Sequence, residues 1–396
     1  MTIYFDNAAT SWPKPPEVRA SLDAYFGEGG GNPGRSGHRM SIAAARIVEE
    51  TRDRLSRLLH VEDPARIAFT KNATEALNVA IYGSLGPGDH VVTTSIEHNS
   101  VMRPLRDLEA RGVEVTIIPC APDGMLEPDD VRGALRPSTR LLITVHGSNV
   151  TGTLLPIGEI ARLARSAGVP YLVDASQTAG AIPIDVEDLG VDMLAFTGHK
   201  GLLGMTGTGG LYVRDGVDVV PLMRGGTGSR SDSEFQPDFM PDALESGTLD
   251  MAGLAGLGAG VDHILDMGVD AVERHERELV QRFVDGAAEI QGVVEYGPKD
   301  VSRRCGVLSF NVGGLSCSDV GMVLDRDFEI MSRVGLHCAP GAHRTIGTFP
   351  VGTVRFGFGI YNTMDEVDGA LEAIREIASW AAHAGAGHGH DRDQHA

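Results

Sequence analysis

Residues 170–200 read PYLVDASQTAGAIPIDVEDLGVDMLAFTGHK. This stretch holds two short apolar runs, and near-continuous runs of this kind are typical of strands that a sheet buries on both faces. The first run ends in Asp174, and an unpaired carboxylate is costly to bury, so we expect a cationic partner or hydrogen-bond donors beside it. The second run leads to Lys200, and burial lowers the pKa of a lysine and makes its amine a nucleophile. The stretch therefore predicts two buried strands with reactive groups at their ends.

Similar runs lie on both sides of this stretch. The runs with a strand pattern are 66–70, 90–96, 113–119, 141–147, 170–176, 193–198 and 209–214. Segments between them place apolar residues three and four positions apart, which predicts helices over 74–83, 99–111 and 158–167. This alternation predicts an α/β fold in which a large domain holds a seven-stranded, mostly parallel, doubly wound sheet.

The pattern changes after residue 214, and we expect a second, smaller α+β domain there. Helical segments over about 15–27 and 38–59 precede the sheet, and a polar loop over 225–238 follows it. The remaining elements are a helical region over 251–291, strands near 306–312 and 354–358, and a final helix over about 364–383. We predict a large domain over 15–250, a small domain formed by 1–14 and 251–384, and a disordered tail over 385–396.

The composition favours a cytoplasmic enzyme. The chain has 396 residues and is 42% hydrophobic, which is enough for a sizeable core, and its net charge of −20 would repel the phosphate backbone of a nucleic acid. No apolar run approaches the ~18 residues that would span a membrane, and we expect no secretory signal. The four cysteines form no Cys-x-x-Cys pair, so no metal site is assigned. The candidates for amine chemistry are the four lysines, Lys14, Lys71, Lys200 and Lys299.

Further polar residues follow the predicted strands, at the edge where an open parallel sheet binds its ligands. Thr70, Asn72 and Thr74 can cap the helix over 74–83, whose free N–H groups can bind an anion. The other strands are followed by Glu97, His98 and Asn99, by Asn149, by Gln177, and by Thr197 and His199. Taken singly, each of these is equally an ordinary cap or turn residue. The glycine-rich GLGAG at 256–260 does not follow a strand, so we reject it as a dinucleotide site.

Taken together, these residues fit one cofactor, pyridoxal 5′-phosphate. A helix N-terminus suits its phosphate, Lys200 suits its aldehyde, and Asp174 suits its pyridinium nitrogen. A carboxylate at that nitrogen keeps it protonated and makes the ring an electron sink. His98 can stack on the ring, and Gln177 can donate a hydrogen bond to it.

The same residues resemble a known family. Asp-x-Ser-Gln at 174–177, followed by Thr-x-His-Lys at 197–200, resembles class V aminotransferases of the pyridoxal-phosphate fold type I. Four motifs narrow the resemblance to cysteine desulfurases and selenocysteine lyases: YFDNAATS (4–11), EHNS (97–100), SNVTGT (148–153) and RVGLHCA (333–339). The segment from Cys338 to Arg355 is short, which makes the pattern more similar to the group II enzymes. The resemblance extends over residues 3–380.

The resemblance implies a set of cofactor-binding residues. Lys200 would carry the cofactor, His98 would stack on its ring and shuttle protons, Asp174 would pair with the ring nitrogen, and Gln177 would contact the phenolic oxygen. The phosphate would be held by Ala73, Thr74, Thr197 and His199. Thr248, in ESGTLD, would reach the phosphate of a neighbouring subunit, so the resemblance implies a homodimer with shared sites.

The resemblance also implies a catalytic cysteine and a substrate site. Cys338 matches the family's catalytic cysteine, while Asn149 and Arg355 would bind the substrate carboxylate. Arg333 is a further candidate near the substrate. Because a free thiol is only slightly ionised at pH 7, we expect Arg333 or His337 to lower the pKa of Cys338.

The implied activity is that of a cysteine desulfurase, which converts L-cysteine to L-alanine and leaves a persulfide on Cys338 for a sulfur-acceptor protein. The alternatives are a selenocysteine lyase acting on L-selenocysteine, a transaminase or β-elimination enzyme on the same fold, and a low-turnover cofactor-binding scaffold for a sulfur acceptor. Leu336 stands where group II members often carry a histidine, and residues 340–350 differ from the commonest version. These departures leave the acceptor and the choice between sulfur and selenium open.

Overall fold

The computed structural model describes residues 2–34 and 37–387. The strands are β1 (Ile3–Tyr4), β2 (Ile67–Thr70), β3 (His90–Thr94), β4 (Glu114–Ile118), β5 (Thr139–Val145), β6 (Tyr171–Asp174), β7 (Met193–Thr197), β8 (Gly209–Val213), β9 (Val293–Tyr296), β10 (Val307–Val312), β11 (Ile330–Met331), β12 (Arg333–Gly335) and β13 (Thr353–Gly357). Across the described ranges, no helix combines the length and the apolar character needed to cross a membrane. Most of the tail that we predict to be disordered lies outside the described residues.

The helices include every helical segment that the sequence predicts. They are α1 (Pro16–Ala24), α2 (Arg39–Leu59), α3 (Ala73–Ser84), α4 (Asn99–Glu109), α5 (Pro128–Ala134), α6 (Ile157–Ala167), α7 (Val186–Leu189), α8 (Met251–Met267), α9 (Val269–Ala288), α10 (Cys317–Phe328), α11 (Pro340–Thr345) and α12 (Met364–Gly387). The helical region over 251–291 is two helices, because the chain turns at Gly268, whose φ of 80° favours glycine.

The large sheet has seven strands in the order β2-β8-β7-β6-β5-β3-β4. Among these seven strands, β8 runs in the opposite direction to the other six. The predicted seven-stranded, mostly parallel sheet is therefore confirmed. Its register pairs Val145 with Asp174 and Asp174 with Ala195, which brings the carboxyl ends of β5, β6 and β7 together at one edge.

Both faces of this sheet are buried. Leu142, Val173 and Leu194 belong to a core on one face. Their neighbours Ile143, Leu172 and Met193 belong to a core on the other face. Because successive side chains of a strand point to opposite faces, burial of both faces requires the near-continuous apolar runs that the sequence contains.

A second, antiparallel sheet has the order β12-β13-β10-β9 and its own core. The centre of this core is an aromatic cluster in which Phe310 lies 5.0 Å from Phe356, measured between ring centroids. Phe5 joins the same cluster, and β1 pairs with β11. The N-terminal segment thus packs with the C-terminal part of the chain, while the exact domain boundaries stay a prediction.

The GLGAG segment at 256–260 lies inside α8, and its glycines serve close packing. A Cβ atom on Gly260 would overlap the carbonyl oxygen of Leu202. A Cβ atom on Gly258 would lie 2.8 Å from Oγ1 of Thr51. The rejection of this motif as a dinucleotide site agrees with its place in the middle of a helix.

Gly152 closes the contact between the large sheet and the second sheet. It has a φ of 72°, and a Cβ atom there would overlap the carbonyl oxygen of Val307. Gly168, the residue that ends α6, has a similar φ of 66°, but a Cβ atom there has no described heavy atom within 4 Å. The two glycines therefore differ in steric surroundings and not in backbone conformation.

We expect Gly152→Ala to lower the free energy of unfolding by about 3 kcal/mol or more, because it adds a steric clash to the conformational penalty. Gly168→Ala, the matched control, should cost about 1 kcal/mol, the conformational penalty alone. Urea unfolding followed by circular dichroism measures both. Equal losses in the two variants would contradict the role assigned to Gly152.

Candidate active site

Most of the predicted site residues line one cavity of about 90 Å³ at the carboxyl edge of the large sheet. They are Ala73, Thr74, His98, Asn149, Asp174, Gln177, Thr197, His199 and Lys200. The topology explains this meeting, because α3 and α4 begin just beyond β2 and β3, and β5, β6 and β7 end side by side. The residues that follow separate strands in the sequence therefore lie close together in the fold.

Lys200 and Asp174 form the electrostatic centre of this cavity. Burial lowers the pKa of the Lys200 amine to about 8, and the Asp174 carboxylate opposes that shift. Asp174 is 2% exposed and accepts hydrogen bonds from both the backbone N–H of Ser176, at 2.9 Å, and the Ser176 hydroxyl. The buried carboxylate thus has the donors and the cationic neighbour that the sequence leads us to expect.

His98 is fixed by the start of α4. Its Nδ1 accepts a hydrogen bond from the backbone N–H of Ser100 at 3.1 Å, which places the ring proton on Nε2. The Ser100 hydroxyl lies 2.9 Å from the same nitrogen and 2.7 Å from the Thr74 hydroxyl. Burial lowers the pKa of His98, so the ring is a neutral, flat group at neutral pH.

The cavity can also hold an anion. It contains the N-terminus of α3, whose first N–H groups have no partner within the helix. Thr197 Oγ1 and His199 Nδ1 are buried there, and neither has a hydrogen-bond partner in the described part of the chain. Burial lowers the pKa of His199 to about 4, so it is a neutral ring. Buried polar groups of this kind normally have partners, and phosphate oxygens would supply them.

The residues present therefore fit pyridoxal phosphate. The cavity offers an amine, a carboxylate, a neutral ring and an anion site at one sheet edge, which match the aldehyde, ring nitrogen, ring face and phosphate of that cofactor. The Gln177 amide donates to the carbonyl oxygen of Ala8 at 3.1 Å, which fixes its position beside Asp174.

Cys338 is exposed and lies on a segment that is anchored to this site. Its carbonyl oxygen accepts the backbone N–H of Asn99 at 2.8 Å, and the carbonyl oxygen of His337 accepts the side-chain amide of Asn149 at 2.7 Å. His337 and Cys338 have φ values of 48° and 56°, in the region that L-residues rarely adopt. Strained backbone of this kind persists where surrounding contacts fix it, and it concentrates at functional sites.

The expectation that His337 activates the thiol as a nearby cation is wrong. Burial, with help from Arg355 and His343, lowers the pKa of His337 to about 2, so the ring carries no positive charge at neutral pH. Arg333 and Arg355 are cations that interact electrostatically with Cys338.

Arg355 and Arg333 face each other across β13 and β12. Arg355 is 3% exposed and donates to the carbonyl oxygen of Asn149 at 3.1 Å and to Asp6 Oδ1 at 3.2 Å. Its Nε is buried and has no partner among the described residues. Asn149 and Asp6 use two of the five guanidinium N–H groups, so others remain for a ligand. Asn149, by contrast, already uses its amide on the Cys338 segment.

Thr248 lies apart from the other predicted residues. It lines a separate cavity of about 820 Å³, together with Arg52, Glu245 and Thr227. Within one chain it does not reach the Lys200 site. Its predicted role in a neighbouring subunit stays a prediction.

The sequence reasoning missed several residues that support the site. Ser100 and Ser176 orient His98 and Asp174 from two positions further along the chain. Asp6 contacts both arginines. Glu97, which the sequence places at a strand end without giving it a role, is a fully buried acid whose pKa burial raises to about 8. Asp6 and Glu97 lie in the motifs YFDNAATS and EHNS, but nothing local in those motifs indicates their partners.

Comparison with known proteins places this chain among the class V aminotransferases. The family model for aminotransferase class V matches residues 3–369. The chain is 35% identical over 382 residues to a probable cysteine desulfurase of Methanothermobacter thermautotrophicus, covering 95% of this chain and 94% of the relative. It is 34% identical over 390 residues to a cysteine desulfurase of Haloferax volcanii, covering 95% and 90% of the two chains.

Comparison with a solved structure leads to the same family. The apo cysteine desulfurase of Thermococcus onnurineus superposes with a TM-score of 0.90 at 35% identity, covering 96% of this chain and 95% of that one. The chain therefore belongs to the cysteine desulfurase family of class V aminotransferases, whose fold is the pyridoxal-phosphate fold type I. This confirms the family and the fold that the sequence motifs indicate.

Proposed function

We propose that this protein is a pyridoxal-phosphate-dependent cysteine desulfurase that converts L-cysteine to L-alanine and leaves a persulfide on Cys338. One observation carries the proposal. An exposed thiol lies on a segment whose backbone is hydrogen-bonded to Asn99 and Asn149, at the rim of a cavity that contains a lysine amine beside a buried carboxylate. A transaminase needs the amine and the carboxylate but has no use for the thiol.

In this proposal the cofactor is held from four sides. Lys200 carries it, Asp174 pairs with its ring nitrogen, and Gln177 contacts its phenolic oxygen. His98 stacks on the ring. The phosphate takes the N-terminus of α3 at Ala73 and Thr74, with Thr197 and His199 supplying the donors that now lack partners. When bound, the cofactor withdraws electrons from the substrate Cα and stabilises the negative charge that forms there.

The chain's own residues bind and orient the substrate. Arg355 binds the substrate carboxylate with the help of its unpartnered Nε–H, and Asn149 lies beside Arg355. A planar guanidinium suits this task because it grips a carboxylate with two hydrogen bonds. Arg333 and Arg355 place positive charge near Cys338.

Proton transfer falls to Lys200. The free Lys200 amine has a pKa of about 8, so about one-tenth of it would be neutral at pH 7 and able to take the Cα proton once the substrate amine has replaced it on the cofactor. The Cys338 thiolate attacks the substrate sulfur, the carbon–sulfur bond breaks, and its electron pair takes up a proton to give the methyl group. Lys200 would then return a proton to Cα, which completes L-alanine. The sulfur stays on Cys338 as a persulfide, which we propose a sulfur-acceptor protein removes.

We predict that the cofactor attaches to Lys200 and to no other lysine. Lys14 is the informative control, since burial lowers its pKa to about 8 as well, and its amine donates to the carbonyl oxygen of His199 at 2.9 Å. Borohydride reduction followed by peptide mapping locates the attachment. Lys14→Met should keep the label and Lys200→Ala should lose it, whereas a label on Lys14 would contradict the assignment.

Replacement of Cys338 tests the choice between sulfur and selenium chemistry. Cys338→Ala should retain the cofactor but lose about a hundredfold in kcat/KM on L-cysteine, which corresponds to about 2.7 kcal/mol of transition-state stabilisation. Selenium leaves carbon more easily, so activity on L-selenocysteine should largely survive. Alanine formation from each substrate is the measurement.

Cys120→Ala is the matched control, because Cys120 is a half-buried thiol whose pKa burial raises to about 11. This variant should keep the activity of the parent on both substrates. If Cys338→Ala converts L-cysteine at the parent rate, the thiol is a bystander and the desulfurase proposal fails. If the parent acts on L-selenocysteine alone, the alternative function as a selenocysteine lyase is correct.

We further propose a homodimer in which Thr248 contacts the phosphate bound to the partner subunit. Support comes from the exposed apolar side chains on the segment that leads to Thr248, namely Met223, Phe235 and Phe239. Exposed apolar groups of this size commonly mark a protein–protein interface. The large cavity that Thr248 lines lies in the same part of the chain.

We expect a dimer in sedimentation equilibrium. Thr248→Ala should raise the dissociation constant for the cofactor by about tenfold, the effect of one charge-assisted hydrogen bond. Thr227→Ala is the control, because Thr227 lines the same cavity while its hydroxyl lies 3.1 Å from that of Ser229. A monomer that retains the cofactor fully would refute the shared site.

A further inference from the structure

The turn that follows β7 is held by a distant segment of the chain, residues 10–14. Three residues of this segment donate hydrogen bonds to one oxygen, the carbonyl oxygen of His199. The donors are the Thr10 hydroxyl at 3.1 Å, the backbone N–H of Ser11 at 3.0 Å and the Lys14 amine at 2.9 Å. The peptide bond formed by this carbonyl leads directly to the lysine of the cavity, so the three donors act next to the reactive residue.

The same segment also contacts the carbonyl oxygen of Lys200. The Ser11 hydroxyl lies 2.9 Å from this oxygen and accepts a hydrogen bond from the Lys14 amine at 2.7 Å. The turn itself contains a strained residue, because Leu203 has a φ of 60°. Strained backbone persists where its surroundings fix it. Contacts on two successive carbonyl oxygens supply such a restraint at the residue that bears the buried amine.

The Lys14 amine is a half-buried cation without an ion pair. Burial lowers its pKa to about 8, so most molecules carry the ammonium form at pH 7, and no carboxylate among the described residues offsets the cost of burial. Its partners are the Ser11 hydroxyl and the His199 carbonyl oxygen. Hydrogen bonds from an ionised donor are about twice as strong as neutral ones. The charge of Lys14 therefore acts on the backbone of this turn.

Residues 10–14 are themselves anchored to the second sheet. The backbone N–H of Trp12 donates to the side-chain oxygen of Asn7 at 3.1 Å, and the Asn7 amide donates to the carbonyl oxygen of Gly357 at 3.0 Å. Gly357 ends β13, the strand that also carries Arg355. A continuous set of contacts thus joins the strand of this arginine to the turn of the lysine.

We propose that Lys14 is a positioning residue that fixes the backbone of Lys200 through the carbonyl oxygen of His199. The proposal rests on the proposed function, in which Lys200 moves the Cα proton of a substrate whose carboxylate Arg355 binds. Lys14 itself contacts neither substrate nor cofactor in this assignment. Because a misplacement of about 1 Å can cost about a hundredfold in rate, a looser turn should slow proton transfer and leave carboxylate binding intact.

The test compares Lys14→Met, Lys14→Arg and the control Lys299→Met. Methionine keeps the length of the side chain but donates no hydrogen bond, whereas arginine keeps a charged donor. We expect Lys14→Met to lower kcat on L-cysteine about tenfold while KM stays within about twofold of the parent value. Lys14→Arg should recover most of kcat. Lys299→Met should match the parent, because Lys299 is exposed and lies 3.9 Å from Glu295.

Hydrogen exchange of the full chain, with and without cofactor, measures the restraint directly. The amides of Leu203 and Gly204 donate within the turn, to the carbonyl oxygens of Lys200 and Gly198. In Lys14→Met these two amides should exchange about tenfold faster, which corresponds to about 1.4 kcal/mol of local stability. The control variant should leave both exchange rates unchanged.

Four results would overturn the proposal. Unchanged kcat in Lys14→Met means that proton transfer does not depend on the Lys14 amine. A rise in KM without a fall in kcat means that Lys14 supports substrate binding instead. Equal losses of kcat in Lys14→Arg and Lys14→Met mean that the shape of the side chain matters and its charged donor does not. Unchanged exchange in Lys14→Met means that Lys14 does not restrain the turn.

If Lys14→Met does not fold, Ser11→Ala decides the question. This variant removes the hydroxyl that contacts both the Lys14 amine and the carbonyl oxygen of Lys200. It should show the same fall in kcat and the same faster exchange, and parent values in both would contradict the proposal. Failure of the proposed function is a separate result, namely no alanine from L-cysteine with the parent enzyme, and the exchange rates then still test the restraint on the turn.

Discussion

The interaction on which the site depends is the pairing of a buried carboxylate with a buried amine at one edge of the large sheet. Burial lowers the pKa of the Lys200 amine to about 8, and the charge of the Asp174 carboxylate partly opposes that shift. The register of β5, β6 and β7 fixes this pair. Because side chains alternate along a strand, a slip of one residue would turn Asp174 to the opposite face and separate the two charges.

The second requirement is that the thiol stays close to this pair although it belongs to a distant part of the chain. Cys338 follows β12 of the antiparallel sheet, and its segment reaches the large sheet through backbone carbonyls that accept from Asn99 and Asn149. The two left-handed residues, His337 and Cys338, are tolerated because these contacts hold them on both sides. Placement of this thiol is thus a property of the backbone, which leaves the Cys338 side chain exposed.

The sequence predicts the large sheet and most of the site because both follow from local patterns. Burial on two faces imposes apolar runs, and parallel topology gathers strand-end residues such as Asp174 and Lys200. The sequence does not predict elements that lack a local pattern. Strands β1 and β11 are only two residues long and form by pairing with each other. No sequence signal indicates that β8 runs in the opposite direction. The role of Asp6 is not predicted for the same reason, because its partner Arg333 is 327 residues away in the sequence. The predicted role of Thr248 requires a contact with a second subunit, which a single chain does not contain.

The ionisable side chains of the site differ in whether they carry a charge at neutral pH. Burial lowers the pKa of His98, of His199 and of His337, so these rings act at neutral pH as neutral groups that stack or form hydrogen bonds. Permanent positive charge comes from Arg333 and Arg355, because a guanidinium stays protonated in a protein. Lys200 then differs from the other cations of the site, since its pKa lies near neutrality. A fixed positive field can therefore hold an anionic substrate across the pH range in which the lysine gains and loses its proton, and binding and proton transfer are assigned to different residues.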